Sequence, residues 1–382
     1  MILGIDATNL RRGGGITHLV ELLRAANPAT QGVERVVVWG GEPILNVLQN
    51  RSWLVKRNPP ALDKGLLKRM LWQYLHLSDA ARDEGCDVLF VPGGSYAGDF
   101  HPVVTMSQNL LPFEWRESRR FGWSFYALKF ILLRWVQSSS FRKSDGVVFL
   151  TQYALDAVQK VTGPLQGKSG IVPHGINSRF IQLPRAKRLA VDFTNQQPCR
   201  VLYVSIIDVY KHQWKVAEAV AQLRSGGIPI MLELIGPPAR GMSRLKETLN
   251  RIDPEGLFIT YRGPVPYEEL DKCYENADIG VFASSCENLP NILIEGMASG
   301  LPMACSDMGP MPEVLGDAGV YFNPEDSCSI AGALNQMIEA PDLRARMAHA
   351  AFERAQAFSW GRCANGTFRF LVETFQRHKG IN

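Results

Sequence analysis

The chain reads ASSCENLPNILIEGMASGLP from Ala283 to Pro302. The apolar run Ile279–Ala283 that leads into this stretch is typical of a parallel strand covered on both faces. The stretch then predicts a loop that carries the carboxylate Glu287, and a helix that begins near Asn291, a suitable N-cap, and ends at Gly300. A strand, a loop and a helix in this order form the repeating unit of a doubly wound α/β sheet.

Two glutamates in this stretch are candidate binding residues. The start of the helix presents unpaired N–H groups and a partial positive charge toward the carboxyl edge of the sheet, where a diphosphate can bind. Glu287 lies in the loop and Glu295 about one turn inside the helix, and ionised carboxylates accept strong hydrogen bonds from sugar and ribose hydroxyls. For two isolated glutamates, the simpler interpretation is a helix cap and a solvated helix residue. The surrounding sequence therefore has to decide between the two interpretations.

Short β-branched runs alternate with helix-period segments along most of the chain, which predicts βαβ units and parallel sheets. The alternation stops between about Asn177 and Cys199, where polar residues and prolines replace it. We therefore predict two Rossmann-like domains, residues 1–176 and 199–363, joined by a linker, residues 177–198, with ligands bound at the carboxyl ends of the strands. The predicted strands are Ile2–Ile5, Val36–Trp39, Val88–Val91, Val103–Met106, Gly146–Leu150, Val201–Ser205, Met231–Ile235, Phe258–Tyr261, Ile279–Ala283 and Met303–Cys305.

The composition is that of an ordinary globular protein, with 382 residues, 46% hydrophobic and 20% charged. It predicts about two domains and excludes a disordered chain, a collagen-like repeat and a polytopic membrane protein. The part of the chain through Gly175 carries 20 basic and 14 acidic residues, and the remainder carries 21 and 23. This basic surplus suggests an anionic surface or substrate, but it is too small for a nucleic-acid-binding protein.

Cysteine usage and apolar runs predict a cytoplasmic protein. The seven cysteines are scattered and never spaced as Cys-x-x-Cys, so we expect reduced thiols. The run Ile2–Ile5 is followed at once by Asp6, which does not fit a signal peptide. The most membrane-like run, Phe130–Val136, is short and is interrupted by Arg134, so no transmembrane segment is expected.

The residues around Glu287 and Glu295 closely resemble the signature of glycosyltransferase family 4, in which seven residues separate two glutamates. This family consists of retaining, nucleotide-sugar-dependent enzymes with a GT-B fold. The resemblance covers nearly the whole chain and is specific in the C-terminal half but looser in the N-terminal half. Other segments that follow the family's usual order are Val204–Lys211, Ile235–Gly236, Arg262–Leu270, Gly300–Pro302, Ser306–Asp307, Pro312–Val314, Gly316–Gly319 and Asn323–Asp326, with Gly13–Thr17 and Pro173–Asn177 in the first half.

The resemblance implies a GT-B enzyme that transfers a sugar, expected to be a hexose, from a nucleotide diphosphate sugar to a hydroxyl with retention of the anomeric configuration. The C-terminal domain would bind the donor. The N-terminal domain would take a glycan or lipid-linked glycan acceptor, as in the biosynthesis of bacterial surface polysaccharides and lipopolysaccharide. The last helix, within residues 364–382, would cross back to the N-terminal domain.

The resemblance also assigns roles to residues of the donor domain. Lys211 would neutralise the donor diphosphate, Glu287 would contact the transferred sugar, and Glu295 would contact the ribose. On sequence grounds alone Lys211 could equally be an exposed loop lysine. Because proline has no N–H, Pro290 cannot donate to a phosphate. The remaining donor-side candidates are Asn291 and Ile292 through their N–H groups, Gly236, and the segment from Arg262 to Val265 through its backbone.

Two positions depart from the family pattern. Ile206 stands where relatives usually carry a second cation, an arginine, so that cation is missing or is supplied from elsewhere, with Arg240 and Arg244 as candidates. Gln108 and Asn109 stand where many relatives carry a His–Asp pair. These two amides can form hydrogen bonds but cannot act as a general base. The sequence therefore fits a mechanism in which the leaving phosphate accepts the acceptor's proton.

The first strand and its following turn are candidates for acceptor or phosphate contacts. Glycines in this turn let the backbone approach a ligand, although a plain flexible turn is an equal interpretation. Asp6 is either an acceptor-side residue or a turn former, and His174 is expected to order the crossover between domains rather than to do chemistry. The glycines concerned are Gly13, Gly14 and Gly15.

The sequence contains no Asp-x-Asp triplet and no His, Cys, Asp or Glu cluster at metal-ligand spacing. With a lysine and a helix start available for the diphosphate, a divalent cation is not required. We therefore predict a metal-independent enzyme with no cofactor, in which the nucleotide sugar is a co-substrate.

Two segments, residues 62–82 and 116–143, mix basic residues with aromatic and aliphatic ones. Helices of this kind can lie on an anionic membrane. The alternative is that the apolar residues face the domain core and the basic residues are solvated. The first interpretation predicts peripheral association with the inner face of the membrane.

Rival functions remain open at this point. A nucleotide-sugar epimerase has the same fold but lacks the two-glutamate signature, and a glycan phosphorylase has a much longer chain and a pyridoxal lysine. A non-catalytic sensor of nucleotide sugars is a third candidate, because Ile206 and Gln108 depart from the family pattern. Donor hydrolysis or transfer to any acceptor separates these candidates.

Overall fold

The structure is a computed structural model, and it describes residues 1–10, 14–122, 125–185 and 188–380. It divides into two compact units. The first unit contains Met1–Trp115, Trp123–Gly175 and Ser359–Asn382, and the second contains Arg116–Gly122 and Ile176–Phe358.

The first unit is built on a parallel sheet of seven strands. The strand order is β3-β2-β1-β4-β5-β6-β7, so the order reverses between β1 and β4. In open α/β sheets such a reversal leaves a crevice at the carboxyl ends of the two strands. The strands are β1 (Ile2–Asp6), β2 (Arg35–Trp39), β3 (Leu54–Arg57), β4 (Val88–Val91), β5 (Val103–Met106), β6 (Gly146–Phe149) and β7 (Lys168–Ile171).

Helices separate these strands, as parallel pairing requires. In the first half of the chain they are α1 (Gly14–Ala25), α2 (Glu42–Leu45), α3 (Leu66–Leu75), α4 (Leu77–Asp83), α5 (Trp115–Ser118), α6 (Phe125–Lys143) and α7 (Gln152–Thr162). In the second half they are α8 (Gln213–Ser225), α9 (Met242–Ile252), α10 (Leu270–Glu275), α11 (Asn291–Ala298), α12 (Met311–Leu315), α13 (Ser327–Glu339), α14 (Pro341–Ala355) and α15 (Trp360–His378).

The second unit is built on a parallel sheet of six strands in the order β10-β9-β8-β11-β12-β13, and the order reverses between β8 and β11. Both units therefore have a Rossmann-like strand order, in agreement with the two Rossmann-like domains predicted from the sequence. The strands are β8 (Cys199–Val204), β9 (Ile230–Ile235), β10 (Ile259–Gly263), β11 (Ile279–Phe282), β12 (Met303–Ser306) and β13 (Gly319–Phe322).

The central strands explain why the sequence could be interpreted so directly. Every residue of β4, β5, β6, β11 and β12 is buried, because helices cover both faces of each sheet. A strand covered on both faces is apolar over most of its length. All ten strands predicted from continuous apolar runs are present, with ends displaced by at most two residues.

The three strands that the sequence did not predict, β3, β7 and β13, each lie at an edge of a sheet. None of the residues of β3 and β7 is buried, and they include Lys56, Arg57 and Lys168. Charged side chains are a common feature of edge strands because they discourage pairing with other chains. Such strands lack the apolar run that identifies a central strand.

The predicted domain boundaries differ from the two units at three places. The predicted linker, residues 177–198, belongs to the second unit, where Phe180 is fully buried and the Gln182 N–H donates to the Ala298 carbonyl at 2.9 Å. The last helix begins at Trp360 rather than near residue 364 and belongs to the first unit. Residues Arg116–Gly122, predicted within the first domain, belong to the second unit.

Candidate donor site in the second unit

The point at which the strand order of the second unit reverses brings two loops together. One follows β8 and ends in Lys211, and the other follows β11 and contains Glu287. The two loops are joined by the Ser285 N–H, which donates to the Tyr210 carbonyl at 2.9 Å. This is the position at which doubly wound sheets bind their ligands.

Lys211 and Glu287 form an ion pair at this point. The Lys211 Nζ donates to the Glu287 Oε1, and only 7% of the lysine side chain and 17% of the glutamate side chain are exposed. The alternative of an exposed loop lysine is therefore wrong. A buried ammonium needs an anionic partner. Lys211 can exchange the Glu287 carboxylate for a phosphate and remain paired.

His212 shapes the loop that carries Lys211. It is the one non-glycine residue with a positive φ in the described part of the chain, at 51°, a conformation that costs energy for a side chain with a Cβ. Its Nε2 lies 3.1 Å from the Ser285 Oγ. Burial lowers the pKa of His212 to about 4, so the ring is neutral. The hydrogen bond to the second loop accompanies this strained backbone and fixes the direction of the lysine before it.

Gly236 ends β9 beside these loops. Its φ is 145°, and a Cβ at this position would lie 2.0 Å from the Ser205 carbonyl oxygen. Only glycine allows the ends of β8 and β9 to approach so closely. Arg262 lies on the edge strand β10, where its NH1 contacts Glu233 Oε1 at 3.3 Å and half of its side chain is exposed. Val265 follows the end of that strand and is half-buried.

Glu295 is buried, with 4% of its surface exposed, so it is not a solvated helix residue. The Tyr267 hydroxyl donates to its Oε1 at 3.1 Å, and the Tyr274 hydroxyl donates to its Oε2 at 3.2 Å. Burial raises the pKa of Glu295 to about 7, although both phenols oppose the rise. The carboxylate is thus held in one orientation and exchanges its proton near neutral pH.

The start of helix α11 differs in detail from the prediction. Asn291 is its first residue, and Pro290 occupies the N-cap position without a side-chain hydrogen bond. The Asn291 N–H donates to the Leu289 carbonyl at 3.0 Å, so this N–H, predicted to donate to a phosphate, already has an acceptor. Ile292 follows as the second residue of the helix.

The two arginines considered as substitutes for the cation missing at Ile206 both stack on aromatic rings. The Arg240 guanidinium lies 4.7 Å from the centre of the Phe121 ring, and that of Arg244 lies 4.5 Å from the centre of the Trp214 ring. Ile206 itself is 39% exposed. A further cation, Arg120, donates to Glu117, whose Oε2 also accepts from the Ser285 Oγ of the second loop. The sequence did not assign Arg120 to this site.

The candidates of the first unit come together only in part. A Cβ on Gly15 would lie 3.2 Å from the Gln108 Oε1, whereas Gly14 has open space. Gly13 lies outside the described residues. The Gln108 Nε2 hydrogen-bonds to His18 Nδ1 at 3.2 Å. Asn109 instead accepts the Leu111 N–H at 3.2 Å and so stabilises its own turn.

His18 and His174 pack as a stacked pair with ring centres 4.5 Å apart, and the Trp360 ring stacks on His174 at 5.8 Å. Burial lowers the pKa of His18 to about 4 and lowers the pKa of His174 as well. Both rings are therefore neutral parts of the packing. Sequence reasoning missed His18, although it lies one helical turn after Gly15.

Asp6 ends β1 at the other reversal point, between β1 and β4. It is 3% exposed and accepts hydrogen bonds from the Gln73 Nε2 and, at 3.0 Å, from the Thr8 N–H. Burial raises its pKa. Gln73 and Arg69 form the buried face of helix α3, so this helix turns polar side chains inward.

The described part of the chain contains no group of three His, Cys, Asp or Glu side chains that could hold a metal ion. None of its helices combines the length and apolar character needed to span a bilayer. All seven cysteines are free.

Two Rossmann-like units in one chain are the architecture of the GT-B fold. The structure of sucrose-phosphate synthase from Thermosynechococcus elongatus aligns with this chain over the full length of both proteins, with a TM-score of 0.76 and 18% identity. The structure of HepE from Anabaena, solved with UDP-glucose, is also similar. The alignment includes 99% of this chain and 100% of the HepE chain, with a TM-score of 0.69 and 16% identity. At such identities the likeness establishes the fold alone.

Sequence matches cover parts of the chain. Residues 188–354 match the sequence model of glycosyl transferases group 1, so this part of the chain is similar to that family. The O-antigen chain mannosyltransferase B of Escherichia coli is 33% identical over 110 residues, which are 29% of each protein. The chain's matches span 29–41% of the length of the first curated relatives.

Proposed function

We propose that the protein is a retaining glycosyltransferase that moves a hexose from a nucleotide diphosphate sugar to a hydroxyl of a glycan or lipid-linked glycan. The observation that carries the proposal is the buried Lys211–Glu287 pair at the reversal point of the second sheet, within the region that matches glycosyl transferases group 1. The O-antigen and lipopolysaccharide enzymes among its relatives and structural neighbours favour a role in bacterial surface glycans.

Lys211 would bind the diphosphate of the donor. The C1–oxygen bond between sugar and diphosphate breaks in the reaction, and negative charge accumulates on the leaving oxygen. A buried ammonium beside that oxygen stabilises the charge more strongly than an exposed one, because water screens it less. Glu287, released from the lysine, would accept hydrogen bonds from hydroxyls of the transferred sugar.

The acceptor hydroxyl would form the new bond to C1 on the face that the diphosphate leaves. Its proton passes to an oxygen of the leaving phosphate, so no side-chain base is needed. Gln108 and Asn109 do not ionise at neutral pH, which supports this route. Retention of configuration follows because attack and departure occur on one face.

Glu295 would hold the ribose of the donor, with its carboxylate oriented by the two tyrosine hydroxyls. Lys211 would supply the positive charge that a metal supplies in other transferases. We therefore propose metal-independent transfer. Activity that persists in excess chelator supports this point, and loss of activity that magnesium or manganese restores contradicts it.

Membrane contact is proposed through helices α3 and α6 of the first unit. Both expose a row of apolar side chains, and basic residues such as Lys68 and Lys129 are exposed beside them. An exposed apolar face flanked by cations suits an anionic lipid surface, where a lipid-linked acceptor is found. The exposed apolar residues are Leu66, Leu67, Met70, Leu71, Tyr74 and Leu75 on α3, and Phe125, Tyr126, Leu128, Ile131, Leu132 and Trp135 on α6.

A thermal-shift panel of UDP, GDP, ADP and their common sugar conjugates tests the donor class. UDP-glucose is the first compound to try, because HepE was solved with it. A ligand that binds only the folded protein raises its melting temperature by mass action. We expect one nucleotide to raise the melting temperature of the wild type and to lose this effect in Lys211→Ala but not in the exposed control Lys246→Ala. Absence of a shift from every nucleotide contradicts the proposal.

A further inference from the structure

Residues Arg116–Gly122 are a short segment of the second unit, although Trp115 and Phe125 on either side belong to the first. The segment consists of most of helix α5 and a 3-10 turn, Arg119–Phe121. Glu117 and Ser118 are buried, with 4% and 6% exposed. A carboxylate is rarely buried to this extent unless it is paired with a cation.

The charged residues of the segment form a network with Glu325. The Glu117 Oε2 accepts from the Arg120 Nε at 2.8 Å, and the Arg120 NH2 also donates to the Glu325 Oε1. The Arg116 NH2 donates to the Glu325 Oε2 at 2.6 Å. Arg120 is thus shared between two carboxylates, and 24% of its side chain is exposed.

This network is hydrogen-bonded directly to the donor-site loops. The Ser285 Oγ donates to the Glu117 Oε2 at 2.5 Å and lies 3.1 Å from the His212 Nε2. Ser285 is two residues before Glu287, and His212 is the residue after Lys211. The segment's buried carboxylate is therefore joined by hydrogen bonds to the loop that carries Glu287.

The charges of the network and of the ion pair balance. Three cations, Arg116, Arg120 and Lys211, face three carboxylates, those of Glu117, Glu287 and Glu325. Each of these three cations is already paired, so a diphosphate that binds one of them has to compete with the carboxylate that holds it. An arginine suits this exchange because its planar fork matches phosphate oxygens as well as it matches a carboxylate.

We propose that Arg120 is a further ligand of the donor diphosphate, held by Glu117 and Glu325 while the site is empty and transferred to the phosphate when the donor binds. The proposal rests on the proposed function, since it assumes that the diphosphate binds at Lys211. Glu117 competes with the phosphate for Arg120 and thereby lowers the affinity for the donor. The ligand class is a nucleoside diphosphate, and the nucleoside alone does not engage Arg120.

Isothermal titration with UDP, GDP, ADP and the corresponding nucleosides tests the exchange. We expect Arg120→Ala to weaken binding of the nucleoside diphosphate by about ten- to a hundredfold, the effect of losing one charged hydrogen-bonding partner, and to leave nucleoside binding unchanged. Arg119→Ala, a matched control in the same turn whose side chain is exposed, should bind like the wild type. Equal affinities for the two arginine variants overturn the proposal.

Glu117→Gln provides a second test that does not depend on how well Arg120→Ala folds. It removes the competing charge but keeps a side chain of the same shape, so we expect tighter binding of the nucleoside diphosphate. A merely structural salt bridge predicts unchanged or weaker binding, and either result overturns the proposal. If Lys211→Ala weakens binding and Arg120→Ala does not, the further inference alone fails. If neither variant changes binding, or no nucleotide binds the wild type, the proposed function fails with it.

Discussion

The Tyr267 hydroxyl donates a hydrogen bond of 3.1 Å to the Glu295 carboxylate, although the two residues are 28 positions apart in the sequence. Tyr274 donates to the other oxygen of the same group. Burial penalises the charged form of the carboxylate, and the two phenols reduce that penalty without removing it. The group is consequently both rigidly placed and ready to change its charge when a ligand arrives.

Replacement of Glu295 by glutamine should change the pH dependence of stability. The pKa of Glu295 is about 7 in the folded protein and 4.5 in the unfolded chain, so the folded state binds the extra proton between these values. Stability from this group is full below pH 4.5 and is lost as the pH rises through 7, by about 3 kcal/mol in total. We expect Glu295→Gln to lack this loss in unfolding titrations at pH 5 and pH 8.

The exposed control Glu247→Gln should follow the wild type at both pH values. If Glu295→Gln loses as much stability as the wild type between pH 5 and pH 8, the carboxyl does not titrate in this window.

Donor binding should release protons. A ribose hydroxyl that donates to Glu295 favours the ionised form, so a group that is partly protonated at pH 6.5 gives up its proton on binding. Calorimetry in buffers of different ionisation enthalpy measures this release. We expect the number of protons released to fall toward zero at pH 9 and to be zero for Glu295→Gln. If the variant still releases protons, they come from another group.

Tyr267→Phe should loosen the orientation of Glu295 while preserving the aromatic ring over which the Arg179 guanidinium lies at 4.7 Å. Loss of one hydrogen bond to a charged group weakens binding by about tenfold. We expect KM for the donor to rise with little change in kcat, since the hydroxyl acts on binding rather than on the reacting carbon. Unchanged KM in steady-state kinetics would argue that Tyr274 alone orients the carboxylate.

Acid should destabilise the first unit through its buried histidines. The pKa of His18 is 6.5 in the unfolded chain and about 4 in the folded protein. The unfolded chain therefore binds the extra proton, and stability is lost as the pH falls from 6.5 toward 4, by about 3 kcal/mol for this residue. In scanning calorimetry, the melting temperature of His18→Gln should fall less over this pH range than that of the exposed control His349→Gln. Parallel curves of melting temperature against pH for the two variants would show that His18 does not cause the loss.

Polar substitutions on the apolar face of α3 should weaken membrane binding. Leu67 is 82% exposed and Leu71 is 58% exposed, so the double change to Gln removes no core packing. Because each leucine contributes roughly tenfold to partitioning when it leaves water, we expect sedimentation with phosphatidylglycerol vesicles to fall sharply. Leu257→Gln, equally apolar and 67% exposed in the second unit, is the control. Equal sedimentation of the two variants contradicts the proposed surface.

The sequence predicts the central strands of both sheets, because strands buried on both faces are mostly apolar. It predicts the edges poorly, since β3 and β7 carry charged residues and are only partly covered. The segment Arg116–Gly122 shows the same limit, because its assignment to the second unit depends on contacts made 168 or more residues away, with Ser285 and Glu325.

The sequence likewise predicts some residues of the candidate site and not others. Lys211 and Glu287 were assigned separate roles from the resemblance to glycosyltransferase family 4, and the structure pairs them. The partners of Glu295 were not predicted, because a tyrosine in a sequence carries no sign of whether its hydroxyl or its ring is used. Glu117 and Arg120 were not predicted either, since surface and buried charges look alike until the fold is known.

Release of the nucleoside diphosphate from its sugar conjugate is the measurement that tests the central claim most directly. It is made with the wild type, Lys211→Ala, Glu287→Gln and the exposed controls Lys246→Ala and Glu247→Gln. We predict slow release by the wild type and both controls, and a fall of about a hundredfold or more in both site variants, the loss expected when a transition-state charge loses its partner. Release that is equal in all five proteins, or absent from the wild type with every donor, would contradict the assignment of the Lys211–Glu287 pair to sugar transfer.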